Sequence, residues 1–260
     1  MSDRDEIDDS QAPLLDHLLE LRKRLLYCAV AVLITFLASY YFADKIFAFL
    51  VQPLLAAGQG KIIFTQIFEA FFVQVKVAFF AAMMLSFPVI ANQIWQFVAP
   101  GLYRREKRAL LPFLLATPVL FISGAAMAYY ITIPVALQFL LGFQGNLGGV
   151  EQEALPSVGN YLDFVMQFLF AFGLAFLLPV LLMLLERSGI VTYEQIKGAW
   201  RYFVVVAFGL SAVLTPPDIW SQTLLAVPMI GLYFLSLVAI RFTHRRREKA
   251  EAAEATADTQ

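Results

Sequence analysis

Residues 161–185 read YLDFVMQFLFAFGLAFLLPVLLMLL, an apolar run whose one charge, Asp163, stands near its start. As a helix rising about 1.5 Å per residue, it is long enough to cross a hydrocarbon core of about 30 Å. Three further runs, at 25–43, 77–98 and 110–133, have the same character. The apolar stretch 202–240 is interrupted by Leu214-Thr215-Pro216-Pro217-Asp218. Paired prolines beside a carboxylate mark a turn, because proline removes helix hydrogen bonds. The stretch therefore reads as a hairpin of two short helices. The fifth helix, about 201–214, falls below the usual span of about 20 residues, which predicts a bilayer thinned around it. The fold class is all-α: a polytopic membrane protein of six transmembrane helices, the fifth and sixth short.

Composition agrees. Of 260 residues, 60% are hydrophobic and 15% charged, with a mean hydropathy of +0.71. A soluble fold of this length could not hide that much apolar surface. The single cysteine, Cys28, excludes an intrachain disulfide and a cysteine-based zinc cluster, and its apolar surroundings suggest packing. The acidic segment 1–16 lacks the pattern of a cleavable signal, so the first apolar run is expected to stay in the mature protein.

The basic residues orient the chain. One side of the predicted spans holds 16 of the 19 Lys and Arg; the other holds Lys45, Lys61 and Lys76. The positive-inside rule then puts both termini in the cytoplasm. The outer side carries loops at about 44–74 and 142–160 and the tight hairpin tip at Pro216-Pro217. Within the first loop, residues 64–76 are apolar at helical spacing, suggesting a helix at the outer surface. The two loops are expected to form a cap. Three regions follow: a polar N-terminal segment at 1–16, the six-helix domain at 17–241, and a charged tail at 242–260 expected to be disordered.

Motifs for nucleotide hydrolysis, zinc proteolysis and serine hydrolysis are absent from the sequence, and His17 and His244 lie at opposite ends of it. The expectation is no enzyme, no catalytic residue, no metal, no cofactor and no nucleic acid. Charges inside the spans are few, as befits side chains that cost about 2.5–3.5 kcal/mol at a helix centre. No three-helix repeat is visible, which weakens the alternative of a secondary transporter or channel for a small solute. Prolines 88, 118, 134 and 179 do interrupt spans, but without ionisable partners they read as kinks.

Two carboxylates stand out at the cytoplasmic rim. Glu20 lies in His17-Leu18-Leu19-Glu20-Leu21-Arg22-Lys23-Arg24-Leu25, where leucines 18, 21 and 25 form one stripe of an amphipathic helix. Glu106 lies among four cations in Pro100-Gly101-Leu102-Tyr103-Arg104-Arg105-Glu106-Lys107-Arg108. These acids either offset neighbouring positive charge or form a receptor for a basic peptide, since guanidinium groups pair with carboxylates through two parallel hydrogen bonds. Exposed pairs contribute only about 0–1 kcal/mol, so useful affinity requires a partly dehydrated groove with an apolar contact beside it.

These two segments, the latter extended back through Phe97-Val98-Ala99, together with Leu214-Thr215-Pro216-Pro217-Asp218-Ile219-Trp220-Ser221-Gln222, resemble the signature segments of the TatC family, the multispanning core of the bacterial twin-arginine translocase. The likeness runs from about residue 14 to 241. It implies a protein of the bacterial cytoplasmic (inner) membrane that binds twin-arginine signal peptides of folded cargo proteins and supports their export, driven by the proton-motive force. It implies partners of the TatA and TatB type, single-span subunits packing along the fifth and sixth helices, besides membrane lipid and self-association in a larger complex. Carried over by position, Glu20 and Glu106 contact the arginine pair, Arg22 orders the surface and Phe97 lines the recognition site. Pro53 and Pro88 shape the outer loop and second span. Asp218 and Gln222 resemble positions tied to translocation or partner contact. One departure is Leu177, where the family usually has a polar residue, often glutamate; a contact made by that group is absent here or replaced. The implied sequence of events is charge capture at the rim, followed by apolar contact along the spans at about 25 cal/mol per Å² removed from water. Six helices of one chain cannot enclose a pore for folded cargo. On this reading, deleting residues 248–260 leaves export unchanged in a cell-based assay; abolished export would overturn it.

Overall fold

A computed structural model describes residues 3–102, 107–147, 150–152, 155–187, 189–214 and 219–257, with side chains described over 18–97, 114–145, 155–186, 189–213, 219 and 222–242. The helices are α1 (Asp3–Tyr41), α2 (Ala43–Ala56), α3 (Glu69–Leu102), α4 (Lys107–Met127), α5 (Ile133–Leu141), α6 (Val158–Ala175), α7 (Leu178–Arg187), α8 (Tyr193–Gly198), α9 (Trp200–Leu214) and α10 (Ile219–Ala257). Strands β1 (Gly145–Leu147) and β2 (Val150–Gln152) form a small antiparallel hairpin in the second loop. Among the described residues, five apolar stretches are long enough to cross a membrane: Leu18–Tyr41, Glu69–Phe97, Leu114–Leu141, Val158–Glu186 and Gln222–Phe242. The sixth, Trp200–Val213, is shorter. The fifth helix is thus short, as its sequence predicts, while the sixth carries a span of 21 residues. The sixth was expected to be short as well, but α10 begins at Ile219, directly after the break, and runs through Pro228 without ending. It also continues to Ala257, where composition alone suggested disorder; Ala, Glu, Lys and Arg are among the strongest helix formers.

The chain divides into two compact units, Met1–Phe49 with Gln66–Pro118, and Leu50–Thr65 with Val119–Gln260. In the first, α1 and α3 lie side by side. Arg24 reaches Gln93 and Gln96, Thr35 reaches the carbonyl of Ala82 at 3.2 Å, and just past the end of α1 Asp44 of α2 accepts from Gln74 at 3.1 Å. Positions rise along one partner as they fall along the other, so the two run antiparallel. Trp95 Nε1 donates to Thr117 Oγ1 at 3.0 Å and ties α4 to α3. Most of α1 stays exposed, with Leu25, Ile34 and Leu37 about two-thirds accessible, the surface expected of a span that faces lipid.

In the second unit α6 supplies the core. Its buried residues Tyr161, Leu162, Val165, Phe168, Leu169 and Phe172 recur at three- and four-residue intervals, the stripe of a helix with one packed face. Opposite it, the α4 segment from Phe121 to Gly124 approaches closely: a Cβ on Gly124 would lie 2.4 Å from the Phe172 carbonyl oxygen, and one on Gly173 would lie 2.6 Å from the Phe121 ring. Small residues at such crossings let helix backbones meet where no hydrophobic drive between helices exists. A second cluster gathers Ile196 of α8 with Tyr233, Leu237 and Ile240 of α10. There the Tyr233 ring stacks on Phe203 at 4.4 Å, and its hydroxyl donates to the Ile196 carbonyl. A capping box of Thr192 and Gln195 starts α8.

The outer loops do meet, as expected. Ile63 N donates to the Pro156 carbonyl at 3.2 Å and Val158 N to that of Ile63 at 3.0 Å. Ser157 caps α6 by accepting from Asn160 N. The buried Tyr161 hydroxyl donates to the Leu50 carbonyl at 2.9 Å, fastening α6 to α2. The loop leaves α2 through Gly58 at φ 91°, with Gly58 N on the Leu55 carbonyl and Gln59 N on that of Leu54, a Schellman end that favours glycine.

The prolines divide into two kinds. Pro134 is preceded by a widened π turn at Ala128–Thr132, in which Ile133 N reaches back to the Ala128 carbonyl, a geometry that relieves the clash between the ring and the carbonyl four residues earlier. Pro179 follows a break at Phe176 and Leu177 that separates α6 from α7. Pro88 and Pro118, read from sequence as kinks, lie within α3 and α4, which run on without a break.

The glycine crossing gives a stability test. Gly173→Val and Gly124→Ala are each expected to destabilise the protein by about 1–3 kcal/mol, the usual effect of overpacking. Gly231→Ala, with nothing within 4 Å of the added carbon, should leave stability unchanged or raised. Thermal unfolding in detergent would decide; equal midpoints for all three variants would exclude the tight crossing.

Candidate functional site

Five polar residues converge at the basic end of the first unit. Glu20 lies on α1 one turn before Arg24, an i,i+4 order that favours a carboxylate preceding a cation. Arg24 points Nε at Glu20 Oε1 at 3.0 Å and adds a shorter contact from Nη2 to the same oxygen. Its Nη1 donates to Gln93 Oε1 at 3.3 Å and to Gln96 Oε1 at 2.8 Å, both on α3. Gln96 in turn donates through Nε2 to Asn92 Oδ1 at 3.0 Å, which turns its oxygen toward Arg24. The Arg24 side chain is 18% exposed and that of Glu20 36%. The guanidinium is sunk against α3 while the carboxylate faces the rim.

The local sequence explains this placement. Asn92, Gln93 and Gln96 fall within one turn near the end of the apolar Glu69–Phe97 stretch, so their amides cluster where the helix leaves the hydrocarbon. Amides there can accept from a cation without adding charge. A guanidinium with five donors in a fixed fork suits a carboxylate on one side and two carbonyl oxygens on the other.

Of the residues picked out by sequence, Glu20 sits in this network. Arg22 is exposed and, two residues from Arg24, lies about 200° around the helix from its face. Phe97 is half-buried on α3 immediately after Gln96. Glu106 and Asp218 lie outside the described residues, so the pairing of Glu20 with Glu106 is an expectation from sequence. Pro53 is buried in the last turn of α2, near the outer loop it was expected to shape, and Pro88 is exposed on α3. Gln222 donates to the Phe208 carbonyl at 2.9 Å, a polar staple between α10 and α9.

Arg24 and the three amides were missed by sequence reasoning. The signals were present: a Glu-to-Arg spacing of four, and three amides within five positions of an otherwise apolar helix. What was lacking was the antiparallel register that sets Arg24 beside Gln93 and Gln96. Among the described residues no group of acidic, His or Cys side chains could hold a metal ion.

The chain is similar to proteins of one kind throughout. The family pattern described as Sec-independent protein translocase protein (TatC) matches residues 16–228. The Sec-independent protein translocase protein TatC of Magnetococcus marinus is 44% identical, covering 95% of this chain and 90% of the relative. That of Escherichia coli strain K12 is 40% identical, covering 91% and 90%. Among solved structures, a crystal structure of the twin arginine translocase receptor TatC matches with a TM-score of 0.76 at 38% identity, over 87% of this chain and 98% of that one. A second, of the same receptor in DDM, matches with a TM-score of 0.77 at 37% identity, over 86% and 98%. Matched along nearly its whole length in both sequence and fold, this multi-pass membrane protein belongs to the TatC family of Sec-independent protein translocase proteins.

Proposed function

We propose that this protein is the receptor and core subunit of a twin-arginine translocase, a transport component without catalytic chemistry, which binds twin-arginine signal peptides at the cytoplasmic face of the bacterial inner membrane. The observation that carries the reading is Glu20, a carboxylate held by Arg24 at the basic end of the helices and exposed on its outer side. An ordered acceptor loses little freedom when it binds a guanidinium. Solved TatC structures that are named twin arginine translocase receptors share the fold, and this supports the assignment.

On this reading Glu20 and Glu106 receive the two arginines, Arg22 helps order the surface and Phe97 offers apolar contact beside them. The apolar part of the signal then follows the spans inward. The surrounding cations repel a peptide that arrives in another register, so recognition depends on geometry more than on net charge. Single-span subunits of the TatA and TatB type pack along α9 and α10, and several copies assemble, because one chain cannot enclose folded cargo. Asp218 and Gln222 contribute to these later contacts, with Pro53 and Pro88 shaping the outer loop and second span. A helix as short as Trp200–Val213, about 21 Å at 1.5 Å per residue, thins the bilayer beside it and eases passage driven by the proton-motive force.

Titration of a twin-arginine signal peptide into the purified protein in nanodiscs tests the reading. Glu20→Ala and Glu106→Ala are each expected to weaken binding roughly tenfold, in line with the loss of a hydrogen bond to a charged group of about 1.5 kcal/mol. A twin-lysine peptide, lacking the fork, should bind wild type more weakly than the arginine peptide. Equal affinity in every combination would leave only apolar partitioning and sink the receptor assignment.

A further inference from the structure

Glu20 is half engaged. Arg24 directs both Nε and Nη2 at Oε1, and among the described residues Oε2 accepts no hydrogen bond. The other side of the same guanidinium is held by Gln93 and Gln96. Arg24 therefore has two kinds of anchor, one charged and one neutral, on different helices.

An incoming arginine meets a carboxylate whose fork-shaped partner is already present. The open Oε2 by itself can accept one N–H from arginine or lysine alike, and would discriminate poorly between them. Full pairing of a peptide guanidinium with both oxygens requires Arg24 to withdraw. The amide oxygens of Gln93 and Gln96 supply a place for it: Arg24 can swing off Glu20 while keeping Nη1 on α3, so no charged group is left without acceptors.

We propose that Arg24 is a specificity-determining residue, an internal guanidinium that occupies Glu20 in the empty receptor and retreats to Gln93 and Gln96 when a signal arginine takes the carboxylate. The proposal rests on the reading of Glu20 as an arginine-binding group. Exchange of one guanidinium for another preserves the two N–H bonds to Glu20. Exchange for an ammonium replaces a planar fork with a point charge that lacks the matching geometry. The resident arginine thereby converts a weakly selective carboxylate into one that favours arginine over lysine.

The test uses the full chain in nanodiscs, titrated with twin-arginine and twin-lysine peptides, with thermal unfolding as a check on folding. Arg24→Gln removes the competitor: both peptides should bind tighter, the lysine peptide more so, and the arginine preference should fall about two- to fivefold, the effect of a partly exposed ion pair. Gln93→Ala with Gln96→Ala removes the retreat and should act in the opposite direction, weakening the arginine peptide about two- to fivefold. If Arg24→Gln unfolds the protein, Arg24→Lys decides, since it keeps the charge and loses the fork; a lowered preference is expected, and an unchanged one overturns the proposal. Weaker binding in Arg24→Gln and in the double glutamine variant alike, at constant preference, would reduce Arg24 to a structural prop and overturn it as well. Undiminished binding in Glu20→Ala would instead remove the receptor reading itself, whatever Arg24 does.

Discussion

A hydrocarbon core gives a peptide group nothing to bond with, so each backbone N–H and C=O within it must find a partner in the protein. Proline tests that constraint because it removes a donor and crowds the carbonyl four residues back. At Pro134 the turn widens into a π segment; at Pro179 the helix breaks at Phe176 and Leu177 and restarts with Leu181 N on the Leu177 carbonyl. At Pro88 the helix carries through. Each solution leaves the spans crossing as helices.

Polar side chains in the spans obey the same rule from the other side. Ser86, Ser211 and Ser236 each donate to a carbonyl one turn back, on Ala82, Ala207 and Leu232. A hydroxyl that finds its acceptor within its own helix can enter the membrane without a partner helix. Residues that bond across helices are instead informative about assembly. Tyr161 reaches the Leu50 carbonyl and Gln222 that of Phe208, and the Thr35 hydroxyl, 2.8 Å from the Ala31 carbonyl in its own helix, also lies 3.2 Å from that of Ala82. These contacts set register where packing alone discriminates little, since lipid tails are as apolar as the side chains they replace.

The elements legible in the sequence were those governed by one chain segment at a time: the apolar spans, the short fifth helix, and a carboxylate at the basic rim. Hydropathy along one helix determines these. The prolines were legible as perturbations but not as outcomes: Pro88 lies within a continuous α3, while Pro179 follows a break. The partner of Glu20 was hidden as well. Arg24 reads in the sequence as one of the orienting cations, and its place beside Gln93 and Gln96 follows from the antiparallel register. Glu106 and Asp218 lie outside the described residues, so their roles rest on the segments that resemble the family.

A rim that is strongly basic has a difficulty in receiving a basic ligand. Bare carboxylates would attract cations of every kind, while unbroken positive charge would repel the ligand before contact. If Glu20 receives the ligand as proposed, the arrangement around it meets both demands. Its negative charge is balanced locally by Arg24, so long-range attraction is slight and screened within about 10 Å at moderate salt. At contact distance the balance becomes geometric, because a guanidinium can be exchanged for another of the same shape with its hydrogen bonds retained. The neutral amides matter for this reason: a second carboxylate in place of Gln93 or Gln96 would hold Arg24 too strongly to be moved, and an apolar side chain would leave the displaced guanidinium without an acceptor at the edge of the membrane. Selectivity in such a site comes from giving the resident cation somewhere to go.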